Sequence, residues 1–220
     1  MNRKLATLIS IVFHPIWFPF GMLVLYLLAN PIAFGQSQPF EDGVLVLQTL
    51  IICLILPLVS ILIMWKSKLI SSLHLDQRME RIGPYIAMLI FLLWYYLNIN
   101  QYGVAPVFRM YILGALIALI LVFLTNLFIK VSAHGAGVAG ILMNSIAAWK
   151  KFDYEVVPFR ILSSIYTLNF EIIIAIFALI LFIVLLSRFY LKKHNLMELF
   201  GGVLYGIFGQ IVAIRLIEII

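Results

Sequence analysis

The segment "IIIAIFALILFIVLL", residues 172–186, carries no polar side chain at all. A run of that length and purity suits a helix in hydrocarbon, where every backbone N–H and C=O must be satisfied within the segment. Comparable apolar stretches lie at about 5–29, 44–66, 84–98, 107–129, 132–149, 164–187 and 196–218. They leave only short connections, and 65% of residues are hydrophobic against 11% charged. The mean hydropathy of +1.14 is far beyond what a soluble domain of this length needs. These features predict an all-α polytopic transmembrane helical bundle of six to seven spans. Residues 1–220 form one membrane-embedded domain with no separate soluble part. The expected setting is a multi-pass protein of the cell's inner or plasma membrane. The amino-terminal run continues to Ala29 without a small-residue cleavage site, which predicts a retained first span rather than a cleaved signal.

Proline marks where these helices should deform. Pro15 and Pro19 remove backbone donors from the first span, Pro57 predicts a kink in the second, and Pro84 suits a first helical turn. Gly202, Gly206 and Gly209 in the last span fit close helix packing. The single cysteine, Cys53, excludes a disulfide framework. A net charge of +6 would suggest nucleic acid in a soluble protein. In this chain it points to lipid headgroups or an anionic substrate, so no nucleic-acid partner is expected. With seven crossings, the loops holding "HLDQRMERIGP", "KVSAHGAG" and "SRFYLKKHNLME" open on one face together with the N-terminus. His14, His74, His134 and His194 fall on that face too. The Lys/Arg balance does not assign this face to either compartment.

Three polar segments there carry chemistry. In "SRFYLKKHNLMELFGG", His194 and Glu198 lie one helical turn apart, so the carboxylate can hold one imidazole nitrogen and leave the other as nucleophile. Arg188 closes the preceding helix, and its planar guanidinium suits an oxyanion. In "KVSAHGAGVAG", Ser132 and His134 stand where a helix should begin, a natural anion cradle, with Lys130 just before. In "DQRMERIGP", Arg78 and Arg81 are three residues apart and can clamp phosphate oxygens. Each has a plainer reading: interfacial cations, glycines that pack helices, and paired surface charge. Together they supply a nucleophile, its orienting carboxylate, a second histidine, cations and a helix N-terminus. Phosphoryl transfer through a covalent phosphohistidine needs that set. Four histidines with Glu198 also raise a zinc or iron reading, but no HxxH or HxxxH spacing occurs, so no metal and no cofactor are expected.

The motifs resemble those of the type 2 phosphatidic acid phosphatase family, which shares its core with vanadium haloperoxidases. That family carries Lys-x6-Arg-Pro, Pro-Ser-Gly-His and Ser-Arg-x5-His-x3-Asp. Here the third reads Ser187-Arg188, five residues, His194, three residues, Glu198, with Glu in place of Asp. The second reads Val131-Ser132-Ala133-His134, keeping Ser and His. The first is reduced to Arg78, Arg81 and Pro84. The resemblance implies a phosphatase-like core over about 66–218 and metal-independent hydrolysis of a lipid phosphate or diphosphate. It assigns His194 as the phosphoryl-accepting nucleophile, Glu198 as its orienter and His134 as the acid for the leaving group. Arg188, Ser132 and Arg81 would hold the phosphate, with Arg78 and Lys130 as helpers. The competing expectation is a catalytically inactive protein that binds or transports an anionic lipid.

Overall fold

The computed structural model describes residues 2–75, 77–101, 104–161 and 164–219. Its helices are α1 (Arg3–Val12), α2 (Phe18–Ala29), α3 (Gly43–Leu50), α4 (Leu56–Lys66), α5 (Ile82–Gln101), α6 (Pro106–Asn126), α7 (Ala133–Lys151), α8 (Phe170–Tyr190) and α9 (Leu196–Ile219). Six helical stretches are long and apolar enough to cross a membrane: Arg3–Ala29, Gly43–Lys66, Met79–Gln101, Pro106–Asn126, Phe170–Tyr190 and Leu196–Ile217. The chain is therefore a multi-pass, all-α membrane protein. The remaining helix, α7, is about 28 Å long at 1.5 Å per residue, yet it is less apolar than those six stretches. Its composition follows from its position. It packs against α6, α8 and α9, so His134, Asn144 and Ser145 face protein rather than lipid.

Proline shapes the first two spans, the first as the sequence predicts. The first breaks at His14, where the chain leaves α1, makes a short 3₁₀ turn over Pro15–Trp17 and re-enters helix at Phe18. The second widens into a π-helical turn over Ile51–Ile55, in which Leu56 N–H donates to Ile51 O. That extra residue per turn absorbs the donor missing at Pro57.

Glycines let α9 approach its neighbours. A Cβ added at Gly202 would lie 2.3 Å from Ser132 O, and one at Gly206 would lie 2.2 Å from Ala136 O. A Cβ at Gly209 would meet Gly114 O of α6 at 2.4 Å. The backbones of α9, α7 and α6 are thus in direct contact, which fixes the start of α9 against the start of α7.

One expectation needs correction. The stretch from residue 164 is not yet helix. Ser164–Asn169 (β2) pairs antiparallel with Val156–Ile161 (β1), with Phe159 opposite Tyr166 and their rings stacked at 5.8 Å. Both stretches are rich in β-branched and aromatic residues, and Pro158 cannot continue a helix. Helix α8 starts only at Phe170, whose N–H donates to Glu155 O across the base of the hairpin.

Candidate active site

The three polar segments meet at one end of the bundle. Ser132 N–H donates to Glu198 O at 3.1 Å, joining the starts of α7 and α9. The Asn126 side chain donates to Arg78 O at 3.0 Å, tying the end of α6 to the segment before α5. Ser10 Oγ of α1 and Ser187 Oγ of α8 lie 3.4 Å apart.

His194 is buried in the short link between α8 and α9. Its Nδ1 stands 2.7 Å from Glu198 Oε2. A carboxylate accepts, so Nδ1 carries the proton and Nε2 keeps its lone pair. The carboxylate is itself held, because Asn195 Nδ2 donates to Glu198 Oε1 at 3.2 Å and Asn195 Oδ1 accepts from Glu198 N–H at 2.9 Å. Burial, and then the positive charges of Arg188, Arg81, Lys130 and Lys193, hold the His194 imidazole far below its ordinary pKa. The ring therefore stays neutral and nucleophilic.

His134 is buried in the first turn of α7. Its Nε2 lies 3.0 Å from the Ser10 carbonyl oxygen. A carbonyl can only accept, so Nε2 bears the proton and Nδ1 is the nitrogen left for acid–base work. Arg188 and His194 both lie within electrostatic reach of this ring. Arg81 is buried just before α5, where its Nε donates to Leu75 O at 2.9 Å and its side chain also bonds Tyr85.

A cavity of about 570 Å³ gathers these groups. His14, His74, Arg81, His134, Arg188 and His194 line its polar end. Its other walls are mainly apolar, among them Trp17, Leu58, Leu62 and Leu92. From Arg81 to Leu92 the wall follows α5 for eleven residues, roughly 16 Å at 1.5 Å per residue. Trp17, Leu58 and Leu62 are exposed, so the apolar wall is accessible from outside rather than sealed. Among the described residues, no group of three or more His, Cys, Asp or Glu is placed to hold a metal ion.

Of the residues singled out from sequence, His194, His134, Arg188 and Arg81 line the cavity, and Glu198 stands behind His194. The others do different work. Ser132 is buried as the N-cap of α7, its Oγ accepting from Gly135 N–H at 3.1 Å, and it is not part of the cavity wall. Arg78 donates from Nη1 to Phe128 O and so braces the α6–α7 link, outside the wall. Lys130 is half-buried and acts on His194 through its field, also from outside the wall. Ser10 and Tyr85 had no role in the sequence, and His14 entered only as one of four histidines on the motif face and in the zinc or iron reading, with its place beside Pro15 at a helix break as a further signal.

No protein-family model, curated protein or solved structure matches this chain.

Proposed function

We propose that this protein is an integral-membrane phosphatase of the inner or plasma membrane. It hydrolyses a lipid phosphate or diphosphate through a phosphohistidine, without metal. The observation that carries the reading is the placement of His194, His134, Arg188 and Arg81 around one cavity that continues into an apolar shaft. The polar end fits a phosphate, and the shaft fits the hydrocarbon attached to it.

The arrangement supports a two-step reaction. The Nε2 lone pair of His194 forms a bond to phosphorus as the bond from phosphorus to the lipid oxygen breaks. That oxygen takes a proton from Nδ1 of His134, a proton the ring picks up as the anionic phosphate binds beside it, while Nε2–H stays on the Ser10 carbonyl. Water then attacks the phosphohistidine and gives its proton to His134 Nδ1, and the N–P electron pair returns to His194. Arg188 and Arg81 balance the charge on the phosphoryl oxygens throughout, the role a metal ion plays in other phosphoryl-transfer sites. Glu198 holds the His194 ring in the reactive tautomer.

The test is phosphate release by the purified, detergent-solubilised protein from a panel of lipid phosphates and diphosphates, with EDTA present. Release that vanadate inhibits and that His194→Ala abolishes is expected. A wild-type protein that releases nothing, or a His194→Ala variant equal to wild type, overturns the reading. Binding of lipid phosphate without any turnover would favour a carrier of anionic lipid instead.

A further inference from the structure

His14 sits at the break between α1 and α2, far from every motif that defined the site, yet its exposed ring lines the same cavity as His134, His194 and Arg188. It stands edge-to-face with His134, with ring centroids 4.9 Å apart and the planes at 87°. Arg188 lies within electrostatic reach of both rings. The backbone leading to His14 is also built into the site, because Ser10 O is the acceptor that fixes His134.

The protonation of His14 follows from the hydrogen bond that its Nδ1 makes. Its Nδ1 accepts from the backbone N–H of Ile16 at 3.3 Å, capping the 3₁₀ turn over Pro15–Trp17. With Nδ1 occupied as an acceptor, the neutral ring carries its proton on Nε2. A ring in that state is a poor proton donor in the chemical sense, since losing the proton would leave an imidazolate. It is well suited to donate a hydrogen bond without giving up the proton. Neutral donors aimed at oxygens that gain charge in a transition state are a strong source of catalysis.

We infer that His14 is a substrate-contacting residue, whose Nε2–H donates a hydrogen bond to an oxygen of the phosphoryl group beside Arg188. The proton for the lipid alcohol still comes from His134, so His14 is unchanged over the cycle. This assignment rests on the phosphatase reading above, and it makes the broken first span part of the phosphate site.

Two substitutions separate donor from cap. His14→Asn places an amide oxygen near the Nδ1 position, keeps a good cap for Ile16 and removes the Nε2–H. His14→Gln reaches the Nε2 position with an amide N–H. The affinity of wild type and both variants for orthovanadate, measured by titration calorimetry in detergent, reads the contact without requiring turnover. His14→Asn is expected to bind vanadate about a hundredfold more weakly, and His14→Gln to recover the larger part of that loss. Affinity in His14→Asn equal to wild type overturns the inference. Equal weakening of both variants overturns it too, because an amide N–H at the Nε2 position would then restore nothing. Wild-type protein that binds vanadate but hydrolyses no lipid phosphate would sink the phosphatase reading while leaving this contact standing.

Discussion

Glu198→Asp is an informative perturbation, because it installs the shorter carboxylate found in the family that the motifs resemble. The backbone at this position is pinned from two sides. Ser132 N–H donates to Glu198 O at 3.1 Å, and Asn195 Oδ1 accepts from Glu198 N–H at 2.9 Å. The shorter arm therefore cannot be compensated by a shift of α9. Removing one methylene withdraws the carboxylate by about 1.5 Å, which stretches the 2.7 Å contact to His194 Nδ1 to roughly 4 Å. No hydrogen bond survives at that distance. A hydrogen bond to a charged group contributes about 1.5–3 kcal/mol, so the tautomer and orientation of His194 lose that much support. Turnover should fall about 10- to 150-fold. Arg188 and Arg81 are untouched, so KM should move little. The assay is phosphate release at varied lipid phosphate, with kcat and KM separated. A Glu198→Asp enzyme with wild-type kcat would refute the idea that this carboxylate, at this arm length, orients the nucleophile.

Other expectations follow from particular contacts. Gly202→Ala drives a methyl group into Ser132 O at 2.3 Å and should cost about 1–3 kcal/mol or more, read as a lower melting temperature in detergent. Gly21→Ala, with nothing within 4 Å, should be nearly neutral in the same assay. Arg188→Ala should weaken lipid phosphate binding strongly, seen as a raised KM. Arg78→Ala should instead lower stability by about 1–3 kcal/mol through the lost bond to Phe128 O, with little change in KM. Because the His194 pKa is depressed in the folded protein, the unfolded chain takes up a proton near 6.5 that the native site refuses. That contribution to stability is full above about pH 6.5 and is lost as pH falls below it. Denaturant titrations at pH 7.5 and 5 should show this slope in wild type and a smaller one in His194→Gln.

Much of the site was legible where one local rule decided the geometry. The spacing of His194 and Glu198 needs only a helical start to bring them together, and that start is supplied by Asn195. Ser132 was legible as a helix beginning, but its hydroxyl is spent on Gly135 N–H, and sequence alone does not distinguish a cap from an anion ligand. Arg78 and Arg81 look equivalent in the chain, three residues apart. Packing against the α6–α7 link separates them, sending one guanidinium to Phe128 O and the other to the cavity. His14 was hidden for a different reason. Its partners, His134 and Arg188, are more than a hundred residues away, and only the broken first span brings it to them. The β1–β2 hairpin was missed because only Asn169 and Glu171 interrupt the apolar pattern between β2 and α8, so strand and helix were read as one hydrophobic stretch.

The account stands or falls on where the phosphoryl group goes. A lipid phosphate carrying labelled phosphorus can be mixed with the protein, quenched in denaturing alkali within one turnover, and the label mapped by peptide mass spectrometry. Label is expected on His194 in wild type, more of it in a variant slow in the second step, and none in His194→Ala. Phosphate released from the lipid with no label ever found on His194 would contradict it.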